Sequence, residues 1–109
     1  GVRLTPFYDL MCTRLYPGLS AEFAFAIGGE VRPGALQRVH VQAMAAALRM
    51  QPRFVLQQAA DVASIVPDAM QQAVAQIAPV LSAGALSLAE RLQQFVATTT
   101  KKTAARLQA

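Results

Sequence analysis

Residues 52–66 read PRFVLQQAADVASIV, a proline followed by apolar residues at helical spacing. Pro52 suits the first turn of a helix, because the N–H that proline lacks would have no intrahelical partner there. The apolar residues then recur at intervals of three and four, at Val55, Ala59, Val62 and Val66. Such spacing places them on one face of a helix. The stretch therefore predicts an amphipathic helix that begins at Pro52 and buries this face.

Similar spacing on both sides of this stretch predicts three further helices, over residues 35–50, 68–81 and 85–107. Pro67 is expected to end or kink the helix that begins at Pro52, because proline disfavours helical geometry before it and removes a donor. The inward positions expected on the first helix are Leu36, Val39, Ala43, Ala47 and Met50. The β-branched residues near 98–103 have low helix propensity, so the last helix is expected to fray.

The first thirty residues differ from the helical remainder. Residues 23–27 alternate large and small apolar side chains, which predicts a strand. A second strand end is expected at 3–5, because Pro6 biases the residue before it toward extended geometry. Gly28 and Gly29 are expected to be turn residues that end the strand. The predicted fold class is mainly α, with one or two short strands near the N-terminus.

Composition limits the classes of protein that this chain can represent. Its 109 residues are 54% hydrophobic, with a mean hydropathy of +0.33, which is high for one small domain. The longest apolar run covers only residues 43–48, so no transmembrane span is expected. The surplus apolar surface predicts self-association or a broad exposed apolar face. Cys12 is the single cysteine, which excludes an internal disulfide and is consistent with a reducing cytoplasm.

The basic residues raise the question of nucleic-acid binding. Ten basic and six acidic residues give a net charge of +4 and a pI near 10.0. The basic residues are spread along the chain without interleaved aromatic residues, which favours a solvated surface over a DNA-binding patch. His40 has no carboxylate within one turn to orient it, so a packing or hydrogen-bonding role is expected rather than catalysis.

Asp9 is the acidic residue in the most constrained setting, since it follows Pro6, Phe7 and Tyr8. Aromatic neighbours lower the local dielectric, so a carboxylate in this place favours a cation as its partner. An aspartate after a turn also suits the N-cap of a helix. On local pattern alone, Asp9 is either a helix cap or a ligand for a cation.

Residues 4–17, LTPFYDLMCTRLYP, and residues 25–30, FAIGGE, resemble the C-terminal lobe of the HipA-like serine/threonine kinases, the toxins of many bacterial toxin–antitoxin modules. That family reads roughly LAPxYDLLxT and then xIGG, and the resemblance continues more loosely through residues 38–40 to about residue 70. It implies that Asp9 binds Mg²⁺, the role of the aspartate in the DFG motif of ordinary protein kinases, and that Tyr8 lies against the nucleotide. Arg14 either contacts phosphate or ties down the turn.

The same resemblance implies a cytoplasmic protein that transfers phosphate from MgATP to a protein substrate. It also implies restraint by a DNA-binding antitoxin, with any DNA contact made through that complex. The family's catalytic aspartate, metal-binding asparagine, nucleotide-holding lysine and phosphate-covering loop have no counterpart in this sequence.

The chain is therefore expected to be a C-terminal kinase fragment, inactive alone. Its metal-site turn and strand would cover residues 1–30, and its helical subdomain residues 35–107. The alternative is an autonomous helical module that binds a partner protein or DNA.

Overall fold

Helices dominate the protein, which confirms the predicted mainly-α class. A computed structural model describes residues 1–5 and 12–109. Its α-helices in this part of the chain are α1 Arg38–Ala47, α2 Pro52–Ile77 and α3 Ala83–Gln108. Short 3₁₀ helices occur at Thr13–Leu15, Pro33–Ala35 and Ala78–Val80. The two long helices, α2 and α3, have 26 residues each and pack against one another, and α1 packs mainly against α2.

Helix α2 passes through Pro67 and ends only at Ile77, so the boundary predicted near residue 66 is wrong. The second and third predicted helices are therefore one helix, and Pro79 lies in the 3₁₀ helix that follows it. A proline inside a helix removes one backbone hydrogen bond, and local propensity alone predicts a break there. Packing of α2 against α1 and α3 offsets this loss, and Val74, about two turns beyond Pro67, is buried.

Helix α1 begins at Arg38 rather than at residue 35. The preceding residues, Leu36 and Gln37, have extended backbones. The backbone N–H of Gln37, the N-cap residue, donates to Nδ1 of His40 at 2.9 Å, and the N–H of His40 donates to the carbonyl of Gln37 at 3.1 Å. A side chain at the third helical position that reaches back to the N-cap backbone is half of a capping box. This arrangement sets the start of α1 and gives His40 the hydrogen-bonding role expected for it.

The inward face of α1 differs from the predicted one. Leu36 is buried as predicted, but within the helix the buried residues are Val41 and Ala45, whereas Val39 is 57% exposed and Met50 is 42% exposed. The buried positions in the helix are thus two residues further along than the predicted ones. Because residues 43–47 are nearly all alanine, apolar spacing fits both phases equally, and only contact with α2 selects between them.

Residues 23–27 do not form the predicted strand. The described part of the first thirty residues contains a single antiparallel bridge, between Ile27 and Glu30. Next to it, the N–H of Phe23 donates to the carbonyl of Val31 at 2.7 Å. Residues 3–5 are not in a strand either. A strand is stable only when a neighbouring strand pairs with it, and the described residues supply no such partner.

Helix α3 starts two residues earlier than predicted because Ser82 caps it. The backbone N–H of Ala85 donates to Oγ of Ser82 at 3.1 Å, which satisfies a donor in the first turn. Gly84 therefore lies inside the first turn instead of separating two helices. The helix continues through the threonine-rich stretch to Gln108, so the expected fraying is not seen.

The core of the described part of the chain is small. Its buried hydrophobic side chains are Leu36, Val41, Ala45 and Val74. Larger apolar side chains remain exposed along α2, among them Phe54 at 53%, Val62 at 57% and Ile65 at 62%. Much of the apolar surface of α2 is therefore accessible to solvent.

Candidate functional site

Tyr8 and Asp9, the residues predicted to contact nucleotide and Mg²⁺, lie outside the described residues, and their roles stay predictions. Among residues 1–5 and 12–109, no three or more His, Cys, Asp or Glu side chains are grouped so that they could hold a metal ion. The expectation of a magnesium site therefore depends on Asp9.

Arg14 connects the segment that follows Asp9 to helix α3. It lies in the 3₁₀ helix Thr13–Leu15, and its guanidinium carbon is 5.5 Å from the centre of the Phe95 ring. A cation over an aromatic face at this distance is worth about 0.5–1 kcal/mol at an exposed site. Two roles were considered for Arg14, contact with phosphate and fixing of the turn. Its contact with Phe95 corresponds to the second, because it holds the 3₁₀ helix against α3. Stacking on a ring face leaves the edge of a guanidinium able to donate hydrogen bonds.

Residues Ile27 to Glu30 form a tight turn closed by two backbone hydrogen bonds. The N–H of Ile27 donates to the carbonyl of Glu30 at 2.8 Å, and the N–H of Glu30 donates to the carbonyl of Ile27 at 3.0 Å. Gly28 and Gly29 have φ values of +57° and +89°. Two successive residues with positive φ are typical of a type I′ turn, which favours glycine at both positions. The two glycines are turn residues, as the sequence predicts.

Gly28 also brings this turn against the start of α1. A Cβ built on Gly28 would overlap the carbonyl oxygen of His40 and lie 2.6 Å from its carbonyl carbon. A Cβ on Gly29 would have nothing within 4 Å. The absence of a side chain at Gly28 is thus what allows the turn to touch the backbone of His40. Residues 25–30 and 38–40, which are separate in sequence, meet at this point.

Glu30 closes the turn with its carboxylate. One oxygen accepts hydrogen bonds from the backbone N–H groups of Val31 at 3.1 Å and Arg32 at 3.0 Å, and the guanidinium of Arg32 pairs with both oxygens at 3.1 and 3.3 Å. The side-chain bond to Arg32, followed by its backbone N–H, lowers the pKa of Glu30 from 4.5 to about 2. The same pair raises the pKa of Arg32. This carboxylate is occupied by the turn itself.

Arg106, near the end of α3, holds the segment between the glycine turn and α1. Its Nε donates to the carbonyl of Leu36 at 3.0 Å, and its Nη2 donates to the carbonyl of Pro33 at 3.1 Å and to Oγ1 of Thr103 at 3.1 Å. These carbonyls are 70 and 73 positions away in sequence. Apolar periodicity does not indicate such a contact, and the sequence analysis did not identify Arg106.

An open groove of about 800 Å³ lies between the first half of α2 and the last third of α3. Its apolar lining from α2 includes Val55, Ala59, Val62 and Val66. Its lining from α3 includes Thr99, Thr103, Ala104 and Leu107. The helix face that the sequence predicts to be buried is therefore the wall of an accessible groove. Periodicity identified the apolar face, but it did not indicate that α2 and α3 leave a gap there.

The charged side chains that line this groove are both arginines. Arg38, at the start of α1, and Arg53, at the start of α2, both contribute to its lining. None of the described residues that line it is acidic. Asp61 of α2 does not itself line the groove, although its carboxylate accepts a hydrogen bond at 2.9 Å from the side chain of Gln57, which does. The groove thus combines an apolar wall with two arginine side chains.

No helix in the described ranges is sufficiently long and apolar to cross a lipid bilayer, in agreement with the expectation from the apolar run lengths. Comparisons of the chain with models of protein families, with curated proteins and with solved structures found no match.

Proposed function

We propose that this chain is the C-terminal part of a HipA-like serine/threonine kinase that transfers phosphate from MgATP to a protein substrate. Asp9 would bind Mg²⁺ and Tyr8 would lie against the nucleotide. The whole protein would act in the cytoplasm as the toxin of a toxin–antitoxin module, restrained by a DNA-binding antitoxin. The chain by itself would be inactive, because the family's catalytic loop and nucleotide-holding lysine are not among its residues.

The observation that carries this proposal is the contact between two family-like segments. Residues 25–30 carry the glycine pair, residues 38–40 carry the histidine, and Gly28 touches the backbone of His40 only because it has no side chain. Their contact supports the proposal that the two segments resembling the family belong to one structural unit.

The described residues also suggest how the helices would support a site at Asp9. Phosphoryl transfer depends mainly on positioning and on neutralisation of charge. Arg14, five residues after Asp9, is anchored on Phe95 of α3. Arg106 anchors the segment that leads into α1. Bound Mg²⁺ would neutralise phosphate charge. The helices would thus hold in place the backbone that carries Asp9, the proposed Mg²⁺ ligand.

A phosphate-transfer assay tests the assignment. It would use the longer protein of which we propose this chain is a part. Incorporation of label from [γ-³²P]ATP into protein would be compared for wild type, Asp9→Ala and Asp68→Ala, the last as a control on α2. We expect Asp9→Ala to lower the rate by about a hundredfold or more, because a charge-neutralising contact is lost. We expect the control to keep the wild-type rate. No transfer by the wild type, or full activity of Asp9→Ala, would contradict the proposal.

The groove between α2 and α3 favours a second candidate function, a helical module that binds a partner protein. Its wall is mainly apolar, whereas a surface that binds nucleic acid through phosphate contacts is strongly basic. Grooves that bind a helix of a partner protein are also mainly apolar. The apolar wall therefore supports protein binding more than DNA binding. The two candidates are compatible, since a kinase lobe can also bind a partner.

A further inference from the structure

We propose that the groove between α2 and α3 binds an amphipathic helix of a partner protein, with acidic residues of that helix next to Arg38 and Arg53. This inference does not depend on the kinase assignment. It concerns the described helices alone, and it would hold for an autonomous module as well as for part of an enzyme.

The dimensions of the groove fit a helix of about three turns. Along α2 the apolar lining runs from Val55 to Val66, which corresponds to about 17 Å of helix. Short side chains line both walls, alanines on α2 and threonines with Ala104 on α3, so the backbone of an incoming helix could approach closely. Val62 is 57% exposed in the free chain, and covering it would remove apolar surface from water.

The two arginines of the groove favour a partner helix that carries acidic residues. Arg38 and Arg53 are at the helix starts that border the groove, and no acidic residue is among the described lining residues. An acidic side chain on the partner would meet two guanidinium groups, whereas a basic one would meet only like charge. Arginine also suits this role because its planar fork can bind a carboxylate through two hydrogen bonds. The lining is therefore complementary to a helix with an apolar stripe and an acidic end.

A designed peptide pair tests the proposal with residues 1–109. The first peptide is a labelled helix of four turns with a leucine stripe and two glutamates at one end, and the second carries lysines in place of the glutamates. Fluorescence anisotropy would measure the affinity of each. We expect the glutamate peptide to bind at least about fivefold more tightly, and we expect added salt to reduce this preference.

Variants of the chain separate the groove from other apolar surface. Val62→Ser should weaken binding of the glutamate peptide by about tenfold, because a buried valine contact is lost. Ile65→Ser is the matched control, since Ile65 is 62% exposed on the same helix but does not line the groove, and it should leave affinity unchanged. Arg53→Glu should abolish the preference between the two peptides, because the new carboxylate would cancel the charge that remains on Arg38. Arg91→Glu, on an exposed part of α3 outside the groove, should not.

Three results would overturn the inference. The two peptides could bind equally, or not at all. Val62→Ser and Ile65→Ser could have the same effect, which would indicate nonspecific apolar adsorption. Sedimentation could reveal a dimer that Val62→Ser dissociates and that the glutamate peptide does not displace, in which case a second copy of the chain would be the occupant. Circular dichroism of each variant would show that its helices are retained.

Discussion

Gly28→Ala is the substitution for which the structure makes the sharpest quantitative statement, because its neighbour Gly29 provides a control in the same turn. Both residues have positive φ, and an alanine in the left-handed region costs about 1–2 kcal/mol. At Gly29 that is the only cost, since an added Cβ would meet nothing within 4 Å. At Gly28 the added Cβ would also overlap the carbonyl of His40, and overpacking of this kind costs about 1–3 kcal/mol more.

Hydrogen exchange of the amides of Ile27 and Glu30 would measure this cost, because both amides bond across the turn. We expect Gly29→Ala to reduce their protection by about 5-fold to 30-fold, the equivalent of 1–2 kcal/mol. We expect Gly28→Ala to reduce it further, up to complete loss of protection, while the helical circular dichroism remains. Equal effects of the two substitutions would refute the packing of the turn on α1.

Three further predictions concern single side chains. Because the pKa of Glu30 is lowered, its contribution to the turn is complete above its ordinary value of 4.5 and is lost as the pH falls through about 2; a carboxyl NMR titration centred near 4.5 would contradict the Arg32 pairing. Arg106→Ala removes the donor for two carbonyls and should lower the free energy of unfolding by about 2 kcal/mol, a change that an unaltered urea midpoint would exclude. Ser82→Ala removes the N-cap of α3 and should cost about 1 kcal/mol in the same assay, whereas Ser87→Ala, at an exposed position within α3, should cost less.

Local signals predicted the parts of the fold that depend on one residue and its neighbours. Helix α2 begins at Pro52 as expected, because the preference of proline for a first turn is a local property. Gly28 and Gly29 form the expected turn for the same reason. Of the two outcomes expected at Pro67, an end or a kink, the helix end does not occur, because packing of the long helix against its neighbours outweighs one lost hydrogen bond.

Apolar spacing in the sequence could not predict features that depend on contacts between distant residues. The alanines of α1 allow two helical phases, so the choice of Val41 over Val39 as a buried residue follows from contact with α2. The bonds of Arg106 join residues about seventy positions apart. For the candidate site, sequence similarity supplied Asp9 and Tyr8, and both remain predictions. The groove arises from the gap between two helices, which neither helix reveals alone.

Binding of Mn²⁺ in place of Mg²⁺ tests the role of Asp9 most directly. Electron paramagnetic resonance would count the Mn²⁺ bound by the longer protein in the presence of ATP, for wild type, Asp9→Ala and the control Asp61→Ala, whose residue is exposed on α2. We predict a bound ion in the wild type and the control, and its loss in Asp9→Ala. Undiminished Mn²⁺ binding by Asp9→Ala would show that this carboxylate is not a metal ligand and would contradict the kinase assignment.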